Sequence, residues 1–181
     1  MLPPPRDLEA LPRELMASLC THLTEHEAAS LCADLLAGAA PGDHLDVLPY
    51  LAGRPGAAYP DGGWPDYWVR VWGARGLLYV WHDTAAGPVL AGLRDEAWRV
   101  AEMCLKVSTR RDLPAGDDAV RLAAHELPRV RAAALRALGA AGDVEHVDAV
   151  EESLHDDSEE VRRAAHRALD RMRARLDLGG N

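Results

Sequence analysis

Valine returns along this chain at a nearly fixed interval. Val71, Val100, Val130 and Val161 each open a segment rich in alanine and arginine, at spacings of 29, 30 and 31 residues. A period of that size corresponds to one hairpin of two short helices with its turns. So small a unit cannot bury its apolar face alone, so successive hairpins have to stack. A chain of 181 residues has room for one such stack with its leading end covered. The expected class is therefore all-α, a helical solenoid of about four repeats behind an N-terminal helical cap.

Local signals place the elements. Leu8, Leu11, Leu15, Leu19 and Leu23 recur at helical spacing and predict an amphipathic helix over residues 7–23, with Pro12 in its first turns. Thr24 followed by Glu27 is a capping box, so a second helix is expected from there to about Gly38. A short third helix is expected over 43–52, after the Pro41-Gly42 turn. Residues 54–66 hold three prolines and three glycines and read as a loop. The expected organisation is an acidic cap (1–53), that loop (54–66) and a continuous repeat region (67–181). Marker helices are expected at 66–81, 95–109, 127–139 and 157–174, with shorter helices at 84–93, 116–125 and 143–154 between them.

Composition narrows the function. No run approaches the roughly 20 apolar residues of a membrane span, and MLPPPRDLEA has neither the basic nor the apolar part of a secretory leader. A cytoplasmic address is expected. Cys20, Cys32 and Cys104 form no CxxC and cannot all pair, so reduced thiols are expected. Cys20, His22, His26 and Cys32 offer two sulfur and two nitrogen ligands, but the Thr24 cap divides them between two helices, and no metal site is expected. No nucleophile elbow, phosphate loop or carboxylate pair appears, so neither enzyme activity nor a cofactor is expected.

The segments RVRAAALRALGAAGD (129–143) and EVRRAAHRALDRM (160–172) resemble HEAT repeats, above all the short bacterial HEAT-like, PBS-lyase-type kind. The resemblance extends over residues 66–174 and, more loosely, over 24–52. It implies a right-handed α-α superhelix with the marker helices lining its concave side. The first marker helix, YWVRVWGARGLLYVW (67–81), departs from the pattern: Arg75 stands where later repeats have Cys104, Ala134 and Ala165.

Aligning the repeats on the marker valine turns the sequence into columns. Offsets 0, +3, +4 and +7 fall within one sector of a helix and predict a buried seam of Val, Ala and other apolar residues. Offsets −1, +2, +6 and +10 define a neighbouring sector. With that sector we place ten of the 17 bases of residues 67–181, namely Arg70, Arg99, Lys106, Arg110, Arg129, Arg131, Arg136, Arg162, Arg167 and Arg171. Residues 1–66, by contrast, carry ten acids and three bases, and the whole chain has a net charge of −9. Asp66, Asp95 and Asp156 share a column five residues before the valine, so an internal Arg/Asp ladder competes with a ligand-binding stripe for the −1 and +2 columns.

Aromatic residues crowd the same region. Trp64, Trp68, Trp72 and Trp81 stand with Tyr67 and Tyr79 in 18 residues, and Trp98 opens the next marker helix. They either cover the first face of the stack or form an interaction hot spot. Trp72 and Trp81 are placed with the basic stripe and expected to be partly exposed. Trp98 and Glu102 are similar to the Trp and Asp of HEAT-like alkylpurine DNA glycosylases, with no matching Asp here. The expected function is a non-enzymatic scaffold holding an acidic or amphipathic segment of a protein partner on the Arg/Trp surface, without a membrane. Nucleic-acid binding by the same stripe is the alternative, which the net charge disfavours.

Overall fold

The marker valines Val71, Val100, Val130 and Val161 are all buried, each in the first turns of a helix. The computed structural model describes residues 1–177, and the last four positions of the expected repeat region, 178–181, lie outside the described residues. Among the described residues the chain forms eleven α-helices and no strand. Its contacts gather into two units, Met1–Gly92 and Leu93–Asn181. That division falls inside the range expected for one continuous solenoid and leaves the first marker helix with the N-terminal helices.

The first unit holds α1 (Pro12–Leu19), α2 (Glu25–Leu36), α3 (Leu48–Ala52), α4 (Arg54–Ala57), α5 (Tyr67–Gly76) and α6 (Ala86–Gly92). Helix α1 starts at Pro12 instead of Asp7, because proline fits the first helical position and disfavours helix in the residue before it. The Thr24 box forms as its spacing requires. Glu27 N–H donates to Thr24 Oγ1 at 3.2 Å, and Thr24 N–H donates to Glu27 Oε2 at 2.8 Å. The first residues of the expected loop form the helical turn α4, where Gly56 lies against the Leu48 backbone.

Glycines explain why α5 stays with this unit. A Cβ on Gly73 would lie 2.6 Å from the Cys32 carbonyl oxygen, and one on Gly76 would collide with Cys32 Sγ, so both glycines let α5 lie directly on α2. Arg75, the departure from the repeat pattern, turns inward as well. Its guanidinium donates to the Leu51 carbonyl, its Nε has no hydrogen-bond partner, and burial pulls its pKa below the ordinary value.

The second unit holds α7 (Trp98–Arg111), α8 (Gly116–Ala123), α9 (Pro128–Ala141), α10 (Val147–Glu152) and α11 (Glu159–Leu176). These are the last three marker helices with their two intervening helices. Helix α9 packs on α7, α8 and α11. Most of the expected seam of this unit is built as read: Ala133, Ala134, Ala137, Ala164, Ala165 and Ala168 are all buried, while Met103 at the same position of α7 is half-buried. Alanine lets helix axes approach closely, and the approach is tightest where a Cβ on Gly139 of α9 would lie 2.7 Å from Ala168 Cα of α11.

Two substitutions separate packing from helix propensity. Gly139→Ala gains about 1 kcal/mol of propensity, yet it forces apart two backbones in contact, a cost of about 1–3 kcal/mol or more. It should therefore lower stability by about 2 kcal/mol in urea unfolding. Gly87→Ala, in α6 with no atom near its would-be Cβ, should be neutral or slightly stabilising.

Candidate functional site

Each marker helix of the second unit is entered through the same short turn. The Asp95 carboxylate accepts from Ala97 N–H at 2.8 Å, and the Asp156 carboxylate accepts from Ser158 N–H at 2.8 Å. In the repeat between them His125 occupies that column, and its Nδ1 accepts from Leu127 N–H at 3.0 Å. A ring nitrogen thus does the work of a carboxylate oxygen two residues before its donor.

The arginines divide into two sets on opposite sides of the seam. Arg131 and Arg162 do not belong to the stripe: each follows its valine by one residue, about 100° around the helix on the far side of the buried sector. Arg131 donates to the carbonyls of His125 and Glu126, and Arg162 to those of Asp156 and Asp157. Both pin the turn that precedes their own helix. Arg131 also forms a two-pronged pair with Asp156 of the next repeat, with Nε and Nη2 each 2.8 Å from a carboxylate oxygen and both side chains largely buried, at 16 % and 14 % exposure. One rung of an internal ladder therefore exists, between residue +1 of one repeat and residue −5 of the next.

The true stripe runs over α7, α9 and α11. At its α7 end Glu102 occupies the +2 column, 6 % exposed. Its Oε1 accepts from Arg129 Nη2 at 3.0 Å and lies 2.9 Å from Lys106 Nζ. Beside it, Trp98 stacks under the guanidinium groups of Arg99 and Arg129, at 4.2 Å and 5.1 Å from the ring centre. Glu102 is thus committed to two cations inside the protein, unlike a carboxylate held ready for a reacting atom. Sequence reading missed Glu102, and Glu160 in the −1 column, as partners of the stripe. Sorting the acids into the same columns as the bases would have found both.

Towards α11 the stripe opens. Arg136 pairs with Glu160 at 3.0 Å, but both side chains are about half exposed, at 47 % and 49 %. Arg136, Arg167 and Arg171 surround a hollow of about 460 Å³, floored by Ala164 and Ala168 and bordered by Asp170. Arg167 Nε donates to the Arg163 carbonyl. Arg171, and Arg110 at the end of α7, are exposed without an ion pair among the described residues.

Trp72 and Trp81, the aromatic residues assigned to the stripe, belong to the first unit. Trp72 is only 2 % exposed and packs edge-on against Tyr59 and Trp64 and beside Trp68, with ring centres 6.1–6.4 Å apart. Helix α5 ends at Gly76, so Trp81 lies beyond it and outside the helical columns. Its indole N–H donates to Asp83 at 3.1 Å, and its backbone N–H donates to Glu25. Arg70, half-buried, belongs to the first unit with Trp72 and Trp81. Of the four sulfur and nitrogen candidates of the N-terminal helices, His22 stands by Tyr50, His26 stacks on His82 and Cys32 lies under Gly76. Burial pushes the Cys32 thiol up to about 12, which keeps it protonated. No group of three or more metal-ligating side chains gathers among the described residues.

Antiparallel helix pairs, stacked through a small-residue seam and tied by arginine to the next turn, define an α-helical repeat protein. Residues 117–177 match the profile of the HEAT-repeat family. A solved structure described as an engineered protein of the Northeast Structural Genomics Consortium is similar over 90 % of this chain and 89 % of that one. Its TM-score is 0.55 at 17 % identity, a likeness of fold alone. A search of the curated proteins finds no match. No helix among the described residues is long and apolar enough to cross a membrane.

The Arg131–Asp156 pair yields a test. Asp156→Asn removes a charge-assisted bidentate bond and should cost about 2 kcal/mol at neutral pH. Hydrogen bonding from Arg131 holds the Asp156 carboxyl below its ordinary value of 3.8. Its contribution is therefore complete above that value and is lost as pH falls through the lower folded value. In urea unfolding the gap between wild type and Asp156→Asn should be full at about pH 7 and narrower at about pH 3. An equal gap at both would contradict the assignment.

Proposed function

We propose that the protein is a non-enzymatic binding scaffold that holds a protein partner on the stripe of its second unit. The observation that carries this reading is the uneven use of the stripe's cations. Arg99, Lys106 and Arg129 are taken up by Glu102 and Trp98, whereas Arg110, Arg136, Arg167 and Arg171 stand at the surface with weak partners or none among the described residues. Exposed guanidinium groups held on rigid helices are suited to carboxylates, which they bind through two parallel hydrogen bonds. Repeat proteins present such rows of side chains over a continuous face. A net charge of −9 works against the phosphate backbone of nucleic acids and in favour of a local, short-range match.

Affinity capture from the source cells tests the reading. Wild type and the off-stripe variant Asp148→Lys/Glu152→Lys should retain the same protein, and Arg110→Glu/Arg136→Glu/Arg167→Glu/Arg171→Glu should lose it. Labelled DNA and RNA should show no binding at physiological salt. Retention indifferent to the stripe, or salt-sensitive binding of nucleic acid that the stripe variant abolishes, would overturn the proposal.

A further inference from the structure

The hollow between α9 and α11 combines two features that together select an occupant. Its walls are apolar at the base: Ala164 and Ala168, one turn apart on α11, lie beneath it almost fully covered, at 3 % and 2 % exposure, so the apolar surface it offers is chiefly the methylene stems of its arginines. Its rim is cationic: Arg136 comes from α9, and Arg167 and Arg171 from successive turns of α11, while Asp170 is the one acid in the lining. A volume of about 460 Å³ takes a large apolar side chain with its neighbours but not a folded domain.

We infer that this hollow is the anchor site of the scaffold: it receives an acidic, amphipathic segment of a partner protein, with an aliphatic side chain between the arginine stems and flanking carboxylates on Arg167 and Arg171. The inference rests on the scaffold reading and specifies its partner. Three features favour this occupant. An aliphatic side chain gains from the arginine stems that wall the hollow, which a free inorganic anion or a sugar-phosphate backbone would leave unused. Carboxylates spaced along a peptide can meet Arg167 and Arg171 separately and stay clear of Asp170. A phosphate dianion would place its charge on one point and meet the repulsion of Asp170 and Glu160. Arg136 is already shared with Glu160, so an incoming carboxylate competes for it and gains less there than at Arg171.

Fluorescence anisotropy with three labelled peptides of equal length tests the inference on the full-length protein at physiological salt. One peptide sets leucines and glutamates at helical spacing, the second replaces glutamate by glutamine, and the third replaces leucine by serine. The first should bind, and each of the others should bind at least about tenfold more weakly, because one element of the match is missing. Arg167→Glu/Arg171→Glu should weaken the first peptide by at least about tenfold, and the milder Arg171→Gln by a few-fold. The same charge change off the stripe, at the exposed Arg94→Glu/Arg173→Glu, should leave binding within about twofold.

No binding of any peptide by the wild type, equal binding by Arg167→Glu/Arg171→Glu, or full binding of the leucine-free peptide would overturn the inference. So would displacement of the first peptide by millimolar inorganic phosphate or by single-stranded DNA. Failure here with a stripe-dependent partner still captured removes the anchor site and leaves the scaffold reading standing. Binding of the peptide with no stripe-dependent capture does the reverse.

Discussion

The close approach of α9 and α11 is the constraint on which the second unit depends. It is possible because Gly139 meets Ala168 where any larger pair would hold the backbones apart, and because the columns around them are alanine. Helices that lie this near bring the first and second turns of one repeat within side-chain reach of the turn and helix of the next. The Arg131–Asp156 and Arg136–Glu160 pairs both follow from that distance. So does the hollow, since alanines small enough for close packing cannot fill the space at the edge of the seam.

Arginine serves two purposes here, and position relative to the valine decides which. One residue after it, the guanidinium turns back to the loop that starts its own helix and on to Asp156, where burial and bidentate geometry make it a structural tie. Six and ten residues after it, the side chain leaves the helix on the other flank of the seam, where water screens it and the acids within reach are few. In the first unit the same repeat position is used differently again. Trp72 takes the place of Arg131 and Arg162 and closes a cluster of aromatic rings.

Helix positions and the buried seam were legible because they follow from periodicity alone, and the valine register predicts the burial of Val100, Val130 and Val161 without knowledge of any contact. Charge was less legible. Grouping Arg131 and Arg162 with the stripe ignored that a single residue turns a helix by about 100°, which moves a side chain to another face. The exposure expected of Trp72 failed for a different reason: Tyr59 and Trp64 fold back over it, and a long-range return of this kind has no signature in spacing. Trp81 was misplaced because the helix was carried through Gly76, the residue at which it stops. The division after Gly92 arises from Gly73 and Gly76, whose contacts with Cys32 tie α5 to α2.

The central claim is that the two sets of arginines differ in kind, one holding the fold and the other left to a partner. Double-mutant cycles in urea unfolding test it directly, with Arg131 and Asp156 replaced by alanine singly and together, and likewise Arg136 and Glu160. The account predicts a coupling of about 2 kcal/mol for the first pair and less than about 0.5 kcal/mol for the second. A first coupling near zero, or a second of equal size, would contradict it.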